Sequence, residues 1–264
     1  MKDDKNLNHL GARFFHGKYF ATDLPDGARY TNPTLENHSV VSNAACIETH
    51  FDHIQEIYCD LINGSEVAVG AIAWLTNRAV LKSLNMQRRV AIVVQKEDFL
   101  RCDNPRTAFP KRLSDLRMRY SKLKGIDHLE FSDTYPGVQE DSADYCDAVQ
   151  HWLFNASGEF QGSGDPIRSL GFRSDKNRTS PKLHHKFLVL GDWSHGLIMH
   201  PNCVVTGSFN LTENATQSRE NIVVIRDRKI ALAYLSEWAQ LWCISEPLDW
   251  SNPDPHHPLI DMQT

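Results

Sequence analysis

Two short apolar runs, Val67 to Ala73 and Arg89 to Val94, are separated by a stretch with helical character that Asn77 is placed to cap and that runs through Leu84, and this alternation constrains the fold more than any other feature. Each run is too short for a buried helix and is bounded by turn residues, so each predicts a strand covered on both faces of a sheet. Upstream, Ile47, Phe51, Ile54, Tyr58 and Leu61 recur at steps of four and three, which predicts an amphipathic helix from Ala44 that stops at Asn63-Gly64. Helix, strand, helix, strand predicts an α/β fold, with a mixed, largely parallel sheet flanked by helices on both faces. A chain of 264 residues, 41% of them hydrophobic, is long enough to bury one substantial core of that kind.

Further along, a helix is expected over Ala143 to Phe154, then a Gly/Ser-rich turn and a strand near Ile167 to Phe172. Three more strand-like runs follow: Lys182 to Leu190, Cys203 to Asn210 and Ser218 to Ile225. Asp227 is placed to cap a closing helix that carries Ile230, Tyr234, Leu235, Trp238, Leu241 and Trp242 on one face, and the two tryptophans read as core.

Charge and cysteine usage narrow the setting. The net charge of −5 excludes a uniformly basic coat. Locally, Arg101, Arg106, Lys111, Arg112, Arg117, Arg119, Lys122 and Lys124 face only Asp103 and Asp115 in the same stretch, a pattern suited to a polyanion or, equally, to a solvated helical face. The six cysteines are widely spaced, with no C-x-x-C pair, and read as buried reduced thiols. The first residues lack the apolar core of a secretory signal, and no run has the length of a membrane span, so a cytoplasmic protein without stable membrane association is expected.

The densest chemistry lies in the last third. In a strand, residues two apart share a face, which sets His184 beside Lys186, and Ser208 beside Asn210; Glu220 opens the run after that. His185 then points to the opposite face and reads as packing. With His195, His200 and Asp192 nearby a transition-metal site is imaginable, but the opposed faces of His184 and His185 do not converge on one ion.

These elements, His184-x-Lys186, Gly207-Ser208-x-Asn210 and Glu220, resemble the motif of the phospholipase D superfamily, and the resemblance extends over about Ala44 to Trp242. It implies the α/β/α sandwich of that family and divides the chain into an irregular N-terminal arm (1–43), a catalytic domain (44–245) with a basic insertion at about 98–128, and a C-terminal tail (246–264). One position departs from the pattern. The family's Asp falls five residues after the Lys, where this chain has Gly191; either Asp192 replaces it through a bulge or nothing does.

The resemblance implies a metal-independent phosphodiesterase without cofactor, and the residue types suit that chemistry. Imidazole has both protonation states accessible at neutral pH, so His184 can attack phosphorus or protonate a leaving oxygen. Lys186 and the Asn210 amide supply charge and donors to the nonbridging oxygens, Ser208 a supporting hydrogen bond, and Glu220 an acceptor for Nδ1 of His184. A single complete motif occurs; His16-Gly17-Lys18 has no matching Gly-Ser-x-Asn. Single-motif members of the family pair as dimers, so an isologous homodimer is expected, with one His184 as nucleophile and the second as acid. Nucleic acid, DNA or RNA, is the expected substrate, with Arg106, Lys111, Arg112, Arg117 and Arg119 as binding residues. The rivals are a phospholipase D-type hydrolase of phospholipids or small diesters, and a catalytically silent nucleic-acid-binding protein of the same fold.

Overall fold

The computed structural model describes residues 46–97, 100, 110–126, 164–171, 182–194 and 198–248, with only the backbone at 110–114, 194 and 198. The elements are β1 (Cys46–His50), α1 (Ile54–Asn63), β2 (Val67–Ile72), α2 (Arg78–Asn85), β3 (Arg89–Gln95), α3 (Pro110–Tyr120), β4 (Ile167–Leu170), β5 (Lys186–Ser194), β6 (Ile198–Gly207), a 3-10 turn (Asn214–Gln217), β7 (Ile222–Arg226), α4 (Arg228–Ile244) and β8 (Glu246–Pro247). The expected arm over 1–43, the helix over Ala143 to Phe154, Cys102, Cys146 and most of the tail lie outside the described residues.

All eight strands form one sheet in the order β1-β7-β6-β5-β2-β3-β4-β8. The α/β class expected from the alternation is what the chain adopts. The sheet, however, is mostly antiparallel rather than largely parallel. Only β2 with β3 and β3 with β4 run parallel; β5 pairs antiparallel with β2 and with β6, and β6 with β7. A parallel neighbour needs a crossover of a dozen or more residues, normally through a helix. Between β5 and β6 lie only residues 195–197, and β6 to β7 is bridged by a loop holding one 3-10 turn, so both connections return as hairpins.

Every residue of β2 is buried, and successive side chains enter two different cores. On one face Val67, Val69, Ala71, Val93, Val189 and Val204 pack against Leu235, Trp238 and Trp242 of α4. On the other, Ala68, Ile72, Ile92, Leu188 and Val205 meet Tyr58 and Ile62 of α1, Val80 and Leu84 of α2, and Leu116 and Tyr120 of α3. Helices therefore cover both faces. Gly70, at the centre, leaves no space for a side chain, since a Cβ there would lie 2.2 Å from the Phe187 carbonyl oxygen of the neighbouring strand.

The helix expected from Ala44 begins ten residues later. Cys46–His50 instead pairs antiparallel with Ile222–Arg226, and Ile47 and Phe51, assigned to the buried stripe, are 60% and 67% exposed. The turn before the helix carries His53 in the left-handed region, at φ 51°, after which Ile54, Tyr58 and Ile62 form the buried stripe at steps of four. Caps were legible: Asn77 accepts from Val80 N at 3.0 Å, and Asp227 from Ile230 N at 2.9 Å. Trp238 and Trp242 are core residues, as read. Cys46 is exposed, against the expectation of buried thiols, because β1 is an edge strand; Cys203 is buried, and Cys243 is half-buried with its thiol pushed up by desolvation to about 12. Beyond Ser245, Glu246 and Pro247 pair with β4. Among the described residues no helix is long and apolar enough to cross a membrane.

Candidate active site

The antiparallel order has a direct geometric result. Strands β2 and β6 end, and β5 and β7 begin, at the same margin of the sheet, so Trp74, His184, Lys186, Ser208, Asn210 and Glu220 cluster there from four adjacent strands. Backbone bonds tie the loops together: Ala73 N donates to His185 O at 2.8 Å, and Thr76 N and Asn77 N both donate to Leu211 O, at 2.7 and 2.8 Å. Gln95, at the end of β3, accepts from Leu183 N at 2.6 Å and fixes the residue before His184.

His184 is exposed and stands just before β5, while Lys186, its first residue, is buried. The Lys186 ammonium lies 3.2 Å from Nδ1 and 3.3 Å from Nε2 of His184 and donates to the His184 carbonyl oxygen at 2.9 Å. The neighbouring side chains anticipated from strand periodicity are thus brought together. Desolvation, then the Lys186, Lys182 and His185 charges, hold the His184 pKa below its ordinary 6.5, which favours the neutral, nucleophilic imidazole. Burial also lowers the Lys186 pKa, with Glu220 opposing that shift.

On the next two strands, Ser208 Oγ donates to Glu220 Oε2 at 2.5 Å and accepts from Asn221 N at 3.1 Å, while Ser208 N donates to Asn221 O at 3.0 Å. Glu220 was expected to accept from Nδ1 of His184; instead its carboxylate is engaged by Ser208, and Lys186 is the group at the imidazole nitrogens. Asn210 is half-buried, and among the described residues its buried side-chain oxygen has no hydrogen-bond partner.

Asp192 belongs elsewhere. The register does shift between Leu190 and Gly191, but Asp192 is exposed and accepts from Asn202 Nδ2 at 3.2 Å. Six strand residues from Lys186 amount to roughly 20 Å, so it does not reach the imidazole. Gly191 itself has no room for a carboxylate, since a Cβ would lie 2.2 Å from the His200 carbonyl oxygen. His185 does face the other side of the sheet, 3.5 Å from Glu237 of α4. Among the described residues no group of three or more His, Cys, Asp or Glu side chains is arranged to hold a metal ion; His195 is outside them.

Of the basic residues, Arg106 lies outside the described residues, and Lys111 and Arg112 are described only as backbone of α3. Arg119 is held by Asp115, Nε to Oδ2 at 3.1 Å, and Asp115 also lies 3.7 Å from Arg78, a residue that the sequence reading passed over. Arg119 and the neighbouring cations hold the Asp115 carboxyl below its usual range. Tyr120 OH donates to Leu75 O at 2.5 Å, anchoring the helix that carries Arg117 and Arg119 to the loop beside the site. Trp74 was also missed. Its ring stands edge-on to His184, centroids 5.8 Å apart at 86°, with Lys186 Nζ 5.9 Å from its centre. A tryptophan two residues past a buried strand carries no motif; only the end-to-end alignment of β2 and β5 reveals it.

Residues 146–242 match the family described as "Cardiolipin synthase, PLD-like domain". Among curated proteins, the chain is 27% identical over 215 residues, 81% of its length and 71% of the relative, to an uncharacterized protein of Acanthamoeba polyphaga mimivirus. It is 37% identical over 86 residues, 32% of its length, to a mitochondrial cardiolipin hydrolase of Xenopus tropicalis, of which the match spans 37%. Among solved structures, NucT from Helicobacter pylori aligns with 77% of this chain and 99% of its own at a TM-score of 0.43 and 12% identity.

Proposed function

We propose that this chain, which carries a phospholipase D-like domain, is a metal-independent phosphodiesterase and specifically a nuclease, working as a homodimer through a phosphohistidine on His184. The observation that carries this reading is the contact between a neutral-leaning imidazole and a buried ammonium, 3.2 Å apart at the end of the sheet. A diester phosphorus is shielded by its anionic oxygens, so an attacking nitrogen needs a cation on those oxygens. A ring nitrogen of His184 forms the N–P bond as the P–O bond to the leaving group breaks. The leaving oxygen takes a proton from the imidazolium of His184 in the partner subunit. Water then attacks the phosphohistidine, gives its proton to that second imidazole, and both side chains return to their starting states. Lys186 and the Asn210 amide hold the nonbridging oxygens, and Arg117 and Arg119 meet flanking phosphates, a role supported by the bond from Tyr120 of the same helix to Leu75.

The test is purified protein in EDTA, with plasmid, single-stranded DNA and RNA as substrates, beside His184→Ala. Cleavage of one of them by the wild type alone, with acid-labile phosphate trapped on His184, is expected. Failure to cut any, or loss in EDTA restored by zinc, refutes the reading. A second reading has its own support: the match to a mitochondrial cardiolipin hydrolase favours a phospholipid diester. Release of phosphatidic acid from cardiolipin vesicles, with nucleic acid left intact, selects it.

A further inference from the structure

Among the described residues, nothing bonded to His184 dictates which way its ring turns. Lys186 Nζ is almost equidistant from the two ring nitrogens, at 3.2 and 3.3 Å, so it does not select either. Glu220, the acceptor that would fix a tautomer, accepts from Ser208 through Oε2 and makes no hydrogen bond to the imidazole. What does contact the ring asymmetrically is Trp74, set almost perpendicular to it at 86°. An indole has one donor, and here Nε1–H is committed to Glu97 Oε1 at 3.1 Å. That bond fixes the indole about its own axis. The backbone on which Trp74 is carried is fixed as well, since Ala73 N bonds to His185 O, Gln95 N bonds to Ala73 O at 3.2 Å, and Leu75 bridges to Leu211. With its plane set at both ends, the ring presents itself to the imidazole and lies within cation–π range of the Lys186 ammonium.

We infer that Trp74, oriented by Glu97, is the positioning residue that fixes the rotation of the His184 imidazole and keeps Lys186 over the site. Trp74 acts through the other two and makes no bond to the phosphate. The inference rests on the proposed phosphodiesterase chemistry for its kinetic consequence, but not for its structural one, and the two are separable.

The experiment compares wild type with Trp74→Ala, Trp74→Phe, Glu97→Ala and Glu97→Gln in two readouts. Nitrogen-detected NMR of His184 gives the tautomer and the titration midpoint without any substrate. In Trp74→Ala the midpoint rises toward the ordinary value, because the desolvating ring is gone, and the tautomer balance changes. Trp74→Phe keeps most of the wild-type behaviour, Glu97→Gln preserves the acceptor and stays near wild type, and Glu97→Ala falls between. In turnover, a misplacement of about 1 Å costs on the order of 10²-fold, so Trp74→Ala loses about that factor in kcat with KM within about threefold. The inference is overturned if His184 titrates alike in wild type and Trp74→Ala, or if the loss appears in KM alone. Should Trp74→Ala fail to fold by circular dichroism, Glu97→Ala against Glu97→Gln decides: identical His184 spectra in that pair overturn it. An inactive wild type whose His184 spectrum still answers to Trp74 refutes the phosphodiesterase reading and leaves the positioning role standing.

Discussion

Ser208→Ala tests the staple that joins the two later strands of the site. In the structure this hydroxyl donates to Glu220 at 2.5 Å and accepts from Asn221 N at 3.1 Å. A hydrogen bond to a charged group contributes about 1.5–3 kcal/mol when buried. Ser208 is exposed and Glu220 half-buried, and water replaces part of what is lost, so about 1 kcal/mol is the expected contribution of the Glu220 bond. The Asn221 bond adds a few tenths, since that amide also reaches water. A loss of 1 kcal/mol lowers the Tm of a domain this size by about 2–4 °C, which thermal unfolding by circular dichroism resolves. Pairing Ser208→Ala with Glu220→Ala in a double-mutant cycle isolates the contact, and residues in one network couple by at least about 0.5 kcal/mol. Turnover of Ser208→Ala falls no more than about tenfold, because the hydroxyl supports the carboxylate and does not meet the phosphorus, whereas His184→Ala loses all turnover. Additivity within about 0.3 kcal/mol, or an effect of Ser208→Ala on turnover as large as that of His184→Ala, refutes the reasoning.

Asp192→Ala, far down β5 from the imidazole, changes stability by less than about 0.5 kcal/mol and leaves turnover unaltered; a large loss of turnover in the same cleavage assay would reinstate the displaced carboxylate. Turnover falls on the acid side as His184 takes up a proton, with the midpoint below 6.5 because its folded pKa is lowered; a midpoint above 6.5 in the pH–rate profile contradicts this. The stability linkage has a defined sign: the unfolded chain binds the proton more readily, so the His184 contribution to stability is lost as pH falls from about the unfolded value of 6.5, and His184→Gln flattens that part of a Tm-against-pH plot. Trp238→Ala, at a fully buried site between α4 and the sheet, costs about 3–5 kcal/mol by chemical denaturation.

What could be read from the residues and what could not divides along a physical line. Periodicity reports which face a side chain takes within its own element. It therefore placed His184 with Lys186, set His185 on the opposite face, identified Asn77 and Asp227 as caps, and assigned Trp238 and Trp242 to the core. It misread Ile47 and Phe51 because an edge strand followed by a turn reproduces steps of four without a helix.

Periodicity says nothing about which strand ends meet, and the geometry of the candidate site depends on that. Had β5, β6 and β7 run parallel to β2, as an unbroken βαβ pattern would require, His184 and Lys186 at the start of β5 would lie at the opposite margin from Trp74 at the end of β2. Ser208 and Asn210, at the end of β6, would likewise be separated from Glu220 at the start of β7, by the length of a strand, roughly 17–20 Å for five or six residues. The connections between β5, β6 and β7 reverse the chain twice, and with β5 antiparallel to β2 all six side chains come to one margin. A motif dispersed over His184, Lys186, Ser208, Asn210 and Glu220 is thus one site because β5, β6 and β7 alternate in direction, with three residues between the first two and a helix-free loop between the last two. Trp74 belongs to it because β5 runs antiparallel to β2, although no motif contains it.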